Sequence, residues 1–282
     1  MYDVIIIGMG PAGITAATYL KRYNHHVLLI GKDFGALKES DLIDNYFGFA
    51  EPIAGRTLVE NGLLQAKRHG VDLRYNAVIS VVEEENVFSI STEHDTFYAK
   101  CVLFATGKNR KSLDVKGFNE FRGKGISLCA TCDGFFFRNK KIALIGDGPY
   151  MLHELSILKN LTSDVTIFTH GKELTLDGFP VIKDLITSFS GDKRIEFIHT
   201  KEKAYEVDGV FVAIGSPSSI EFAQALGVIL NNDDIVVDKQ YQTNVPGIFA
   251  AGDVIGGFLQ ISKAVYDGSN AARFIHKYLR KE

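Results

Sequence analysis

Ile5-Ile6-Ile7-Gly8-Met9-Gly10-Pro11-Ala12-Gly13-Ile14 is the stretch from which the fold of this 282-residue chain is read. Tyr2 to Ile7 is a continuous apolar run with the length of a buried parallel strand. A Gly-x-Gly-x-x-Gly turn follows at once. Ile14 to Tyr23 then reads as a helix and Val27 to Ile30 as a second buried strand. In that setting each glycine has a separate physical reason. One permits a tight turn, one lets a pyrophosphate approach the backbone, and one lets helix and strand pack closely. The helix N-terminus adds amide donors for an anion. The expectation is a dinucleotide-binding βαβ unit. The acidic residue such a unit carries after its second strand is displaced. Gly31-Lys32 stands there and Asp33 comes two positions later, so ribose contact and surface solvation both stay open.

Outward from this unit, 34–49 reads as an irregular loop. Gly55 to His69 reads as an amphipathic helix with Leu58, Leu63, Leu64 and Ala66 on its buried side. β-like stretches follow at 72–82 and 87–91. Cys101 to Ala105 is another buried strand closing on Thr106-Gly107, with Cys101 a small core residue. After a basic linker, Lys108 to Lys116, a second βαβ pattern appears. It has a strand at Ile142–Ile145, the turn Gly146-Asp147-Gly148-Pro149-Tyr150-Met151, a helix to about Leu161 and a strand at Val165–Phe168. Met151 holds the place of the third glycine. Thr169-His170-Gly171-Lys172 offers one lysine and no arginine for a 2′-phosphate. The scaffold of a nicotinamide domain is expected here without its contacts.

Strands are expected at 195–198, 206–213, 235–238 and 248–251. The last delivers Gly252-Asp253 at its carboxyl end, where doubly wound folds bind ligands. A final helix is expected over about 259–279.

Between the two βαβ patterns lies Cys129-Ala130-Thr131-Cys132-Asp133. Such a pair either cycles between disulfide and dithiol or forms half of a zinc site, for which His153 and His170 are the nearest further ligands. The chain has three cysteines, 46% hydrophobic and 23% charged residues and a formal charge of −3. That composition is globular and gives no footing for nucleic acid. No secreted disulfide framework, signal peptide or membrane-spanning run is expected, which points to a reducing, cytoplasmic setting.

Taken together, Gly8 to Gly13, Ala105-Thr106-Gly107, Cys129 to Gly134 and Thr243 to Asp253, in that order, resemble the thioredoxin reductase family over nearly the whole chain. The resemblance implies an α/β fold of two Rossmann-like domains. An FAD-binding domain, 1–113 with 211–282, is interrupted by a central degenerate NADPH-type domain, 114–210, that carries the cysteine pair. Hinges fall near Asp114 and Gly209–Ala213, and a homodimer is usual. It implies FAD contacts from Gly8, Gly10, Pro11, Ala12, Gly13, Gly31, Lys32, Ala36 and Leu37. It places Asn45 near the flavin ring and Val78 near adenine, and adds Ala105, Thr106, Gly107, Gly252, Asp253, Gln260 and Ile261. Asp253 suits a polyol chain such as the ribityl. Departures are Phe34-Gly35-Ala36 for Gly-Gly-Gln, Phe47 for a proline and Leu259 for an arginine.

Because both NADPH signatures are missing, the chain is similar to the pyridine-nucleotide-independent subgroup, the ferredoxin-dependent flavin thioredoxin reductases. A related deeply branching group also lacks them. A flavin takes electrons singly and passes them on in pairs, which suits a ferredoxin donor. The resemblance makes Cys132 the flavin-side sulfur, Cys129 the thiolate that attacks thioredoxin, and Asp133 the acid/base that moves protons. Rotation of the central domain is expected between the two encounters. Lys108, Arg110, Lys111, Arg138, Lys140 and Lys141 are candidates for a ferredoxin-docking surface, or plain solvated charge. The rival readings are an NADPH-dependent thioredoxin reductase, a flavin dithiol oxidase and a zinc-binding interaction protein.

Overall fold

A computed structural model describes residues 1–40, 42–108, 113–215 and 219–281. The chain divides into two compact units, Met1–Asn109 with Ser218–Glu282, and Arg110–Pro217.

The first third begins with strand β1 (Tyr2–Ile7), helix α1 (Pro11–Arg22) and strand β2 (Val27–Ile30). Helix α1 starts where proline is favoured, at its first position, and ends with Lys21 and Arg22 against the negative end of its dipole. Its buried face is built largely of small residues, Ala12, Gly13, Ala16 and Ala17, with Ile14 and Leu20. Helix α2 (Gly55–Arg68) buries Val59, Leu63 and Ala66, an i, i+4, i+7 stripe. Leu64 lies one residue off that stripe and is 65% exposed, so its expected burial is corrected. The stretch expected as one strand over 72–82 is two, β3 (Asp72–Arg74) and β4 (Ser80–Glu84), followed by β5 (Val87–Ser91). Strand β6 (Thr96–Phe104) is longer than its apolar run. Its first half alternates exposed and buried residues against β5, and its second half is fully buried beside β1.

The central unit opens with α3 (Phe118–Phe121), β7 (Ile126–Ser127) and a single helical turn, α4 (Ala130–Asp133). Strand β8 (Ile142–Ile145), α5 (Pro149–Leu158), β9 (Val165–Phe168) and β10 (Val181–Ile182) then repeat the opening pattern of the chain. An antiparallel sheet of β11 (Ile186–Ser190), β12 (Phe197–Thr200) and β13 (Ala204–Glu206) follows. Strand β14 (Gly209–Val212) runs parallel to β8 over its whole length and also pairs with β7. These bonds, with the Ala213 amide on the Ile145 carbonyl, hold 209–213 to the central sheet, across the boundary expected at 210/211. The first boundary likewise shifts, from 113/114 to between Asn109 and Arg110.

The last third returns to the first unit with α6 (Ser219–Ala225), the hairpin β15 (Leu230–Asn231) and β16 (Asp234–Ile235), β17 (Ile248–Ala250) and α7 (Ile261–Arg280). Strand β17 pairs in parallel with the second half of β6, on the edge away from β1, giving the parallel order β3-β2-β1-β6-β17, with the β4–β5 hairpin against the first half of β6. Helices α1, α2 and α7 cover one face of this sheet, and the hairpin with α6 covers the other. The central parallel sheet runs β10-β9-β8-β14-β7. Both sheets are therefore doubly wound, and in each the strand order reverses at one point, between β1 and β6 and between β8 and β14. No described helix is long and apolar enough to cross a membrane.

Leu29 is fully buried in β2 and Leu64 is not. Leu29→Ala is expected to cost about 2–5 kcal/mol of unfolding free energy and Leu64→Ala less than about 0.5, read from urea midpoints by circular dichroism. Equal costs would contradict the stripe assigned to α2.

Candidate functional site

At the switch point of the first unit, chain ends converge with little room between them. A Cβ on Gly8 would collide with the Ala105 carbonyl oxygen, and one on Gly13 with the Gly8 carbonyl oxygen. A Cβ on Gly10, by contrast, would meet nothing within 4 Å. The tight places hold strand, turn and helix together, and the open place leaves backbone accessible. The amides of Ala12 and Gly13 precede the first intrahelical bond, from Ile14 to Gly10. That is the geometry a pyrophosphate needs, so the residues present fit a dinucleotide.

The third arm of the crevice is β17. Gly252, at φ +84°, lies so near Ala12 that a Cβ would stand 2.9 Å from the alanine methyl. Asp267, buried in α7, fixes this turn. It accepts the Gly252 amide at 3.2 Å and the Tyr241 hydroxyl at 3.0 Å, and pairs with Lys263 at 2.9 Å. Burial first, and then the hydrogen bond to Asp267, push the Tyr241 phenol well above its usual value. Asp253 follows at the mouth of the strand.

The structure joins Asn45 and Gln260, both expected near the flavin: the Asn45 amide donates to Gln260 Oε1 at 3.3 Å. Gln260 is the residue before α7, and Ile261 begins that helix. Thr106 donates to the buried Ser219 hydroxyl at 2.7 Å, a partner the sequence did not suggest. Gly31 packs on Met9, and Lys32 beside it is exposed. Ala36 and Leu37 lie in a 3-10 turn, Gly35–Glu39, against which Gly55 is packed. Val78 is buried among the apolar side chains of the sheet face that β4 and β5 cover. Asp33 is engaged locally, with Lys38 and the Gly35 amide. Burial acts to raise its carboxyl, but Lys38 at 2.9 Å and the Gly35 amide at 2.9 Å outweigh that and hold it below the ordinary value.

In the central unit Cys129 and Cys132 form a disulfide, with Cα atoms 5.3 Å apart. Cys129 caps α4: the Cys132 amide donates to Cys129 Sγ at 3.1 Å, placed to stabilise a thiolate there once the pair opens. Ser127 organises the turn. Its hydroxyl accepts the Cys129 amide at 3.1 Å and donates to Asp133 Oδ2 at 2.7 Å, aiming the carboxylate. Sequence reasoning missed Ser127, since nothing in a lone serine before the pair signals the contact. It also passed over Phe135 and Phe136, which follow Gly134 and stand 68% and 76% exposed.

The second glycine turn is filled. Met151 is buried under Gly146, and Tyr150 is buried with its hydroxyl donating to the Leu128 carbonyl at 2.8 Å. Asp147 inside the turn pairs with Lys172 at 2.7 Å. The zinc alternative loses its parts: both sulfurs are in the disulfide and His170 Nδ1 accepts the Ile186 amide. Among the described residues no cluster of His, Cys, Asp or Glu could hold a metal. Of the basic docking candidates, Lys108, Lys140 and Lys141 pair with Asp234, Asp208 and Glu206, and Arg138 lies over the Phe135 ring. Arg110 and Lys111 lie outside the described residues.

A family model described as pyridine nucleotide-disulphide oxidoreductase matches residues 2–185 and 180–268. The thioredoxin reductase of Listeria monocytogenes is 32% identical, covering 100% of this chain and 95% of that protein. Among solved structures, the atypical thioredoxin reductase TRi of Desulfovibrio vulgaris Hildenborough superposes with a TM-score of 0.92 at 35% identity, covering 100% of this chain and 99% of the other. A ferredoxin-flavin thioredoxin reductase of Clostridium acetobutylicum gives 0.72 at 30% identity, again covering 100% and 99%.

Cys101 stands apart from this chemistry. It is fully buried in β6, and burial, with Asp3 adding to it, pushes its thiol up to about 12. A thiol raised that far stays protonated and unreactive through neutral and mildly alkaline pH. With the disulfide intact, the folded protein is expected to show no thiol reactive to a maleimide, and one in guanidinium. Fast labelling of the folded, oxidised protein at pH 8 would contradict this.

Proposed function

The chain belongs to the thioredoxin reductases, FAD-containing disulfide oxidoreductases of the pyridine nucleotide-disulphide oxidoreductase family, and from that premise we propose that ferredoxin, not NADPH, supplies its electrons. The observation that carries the donor reading is the filled second turn. Asp147 puts a carboxylate inside the turn, and Lys172, the one lysine offered for a 2′-phosphate, is paired with it. Met151 and Tyr150 occupy the helix start. The likeness to the ferredoxin-flavin enzyme supports the same reading.

In this reading Gly10, Pro11 and Ala12 would hold the pyrophosphate of FAD, Asn45 would stand near its ring and Gln260 would add a further contact. When bound, FAD supplies two-electron storage between a one-electron donor and a disulfide. The protein's own residues do the exchange. Two electrons and two protons open Cys129–Cys132 to the dithiol. The Cys129 thiolate, held by the Cys132 amide, attacks one sulfur of the thioredoxin disulfide, whose partner sulfur leaves as a thiolate and takes a proton. Cys132 then attacks Cys129 Sγ, releases the second thioredoxin thiol and restores the pair. Asp133, aimed by Ser127, moves the protons. Phe135 and Phe136 offer apolar contact for the incoming protein. The working form proposed is a cytoplasmic homodimer.

The rival donor, NADPH, has one observation in its favour. Gly148, like Gly10, has open space where a Cβ would stand. Anaerobic spectra separate the two. NADPH is expected to leave the visible flavin band unchanged, while reduced ferredoxin bleaches it and thioredoxin thiols appear, two for every two ferredoxins oxidised. Rapid bleaching by NADPH would overturn the donor reading and leave the reductase reading standing. The order of the cysteines has its own check. Cys132→Ser is expected to trap thioredoxin on Cys129 as a mixed disulfide, and a trap formed instead by Cys129→Ser would reverse the assignment.

A further inference from the structure

The two glycine turns align residue for residue, Gly10-Pro11 with Gly148-Pro149, so that α1 and α5 can be compared position by position. Where α1 buries Ala12 and Ala16, α5 carries Tyr150 and Glu154, one helical turn apart on one face. Both reach the redox turn. The Tyr150 hydroxyl donates to the Leu128 carbonyl at 2.8 Å, and Glu154 Oε2 accepts the Ala130 amide at 2.6 Å. Leu128 and Ala130 are the two neighbours of Cys129.

We propose that Glu154 is a positioning residue for the redox disulfide, fixing the peptide after Cys129 so that the two sulfurs are held ready to close. Three observations carry this. Glu154 is only 5% exposed, and a carboxyl group is costly to bury unless its hydrogen bonds are specific. Its partner, Ala130, is equally buried, so that amide has no water to turn to. The bond it makes begins α4, the turn whose Cys132 amide points at Cys129 Sγ. Glu154 touches neither sulfur directly and acts through the backbone. The helix that holds a nucleotide in the first unit is, in the second, a clamp on the cysteine pair. The inference rests on Cys129–Cys132 being the redox centre and is independent of which donor reduces it.

The test is the equilibrium of the pair in the full-length flavoprotein with dithiothreitol redox buffers. The disulfide takes two electrons and two protons, and dithiothreitol closes to its cyclic disulfide. Acid quenching and maleimide mass shifts count the thiols, and the flavin band is followed in the same samples. Glu154→Ala is expected to disfavour closure about tenfold, equivalent to about 30 mV for a two-electron couple. Glu154→Gln keeps an acceptor for the Ala130 amide and is expected to stay within about twofold of wild type. An unshifted Glu154→Ala, or a Glu154→Gln that shifts as far, overturns the proposal. Should Glu154→Ala fail to fold and hold flavin, Tyr150→Phe removes the other clamp with its ring intact. It is expected to shift closure about threefold in the same direction, by loss of one hydrogen bond, and no shift counts against the clamp. Failure of the underlying reading looks different: Cys129→Ser or Cys132→Ser would then keep full thioredoxin turnover.

Discussion

Backbone crowding around Ala12 is the constraint on which the first unit depends. Gly8 and Gly13 meet across the turn, Gly252 lies against the Ala12 methyl, and a Cβ on Gly268 of α7 would collide with the Ala12 carbonyl oxygen. Four positions without side chains let β1, β17, α1 and α7 share one point. The strand ends Ile7, Phe104 and Ala250 are brought level by parallel registers that run through β6. Remove one of these close approaches and the crevice opens as a unit, because each arm is located by the others. Two residues of α7 anchor the Gly252 turn by polar contacts: Asp267 accepts its amide and Lys263 donates to its carbonyl oxygen at 2.8 Å.

The central unit shows the same backbone logic under different side chains. Gly146 approaches the Ala213 carbonyl oxygen as Gly8 approaches Ala105. What changes is the helix. Small residues that leave room in α1 are replaced in α5 by side chains that fill it. The same topology therefore carries two different sets of side chains, since strand order and glycine contacts are backbone properties and recognition is not.

Much of this was legible in the chain itself. Val27–Ile30, Ile142–Ile145 and Val165–Phe168 are strands as read, because a short fully apolar run between turn signals has few other ways to be buried. The first half of β6 and all of β11 escaped notice because strands with one solvated face mix apolar with polar residues and look like loop. Leu64 misled because the apolar residues of α2 outnumber the places on its stripe. The cysteine pair and the glycine turns were visible as motifs. Ser127, Ser219 and Glu154 were not: each has meaning only through a partner 6, 113 or 24 residues away.

The disulfide closes a very small ring, with three residues of separation between its cysteines. In the chain-entropy picture such a ring restrains the unfolded chain by only about 2 kcal/mol, well short of what a long-range staple contributes. The hydrogen bonds that Ser127 and Glu154 accept from the Cys129 and Ala130 amides, and that Tyr150 donates to the Leu128 carbonyl, hold the turn besides the sulfur–sulfur bond. The turn therefore keeps contacts of its own in either oxidation state of its cysteines. In the proposed cycle, the sulfur–sulfur bond would be cut and re-formed within a turn that other contacts already hold.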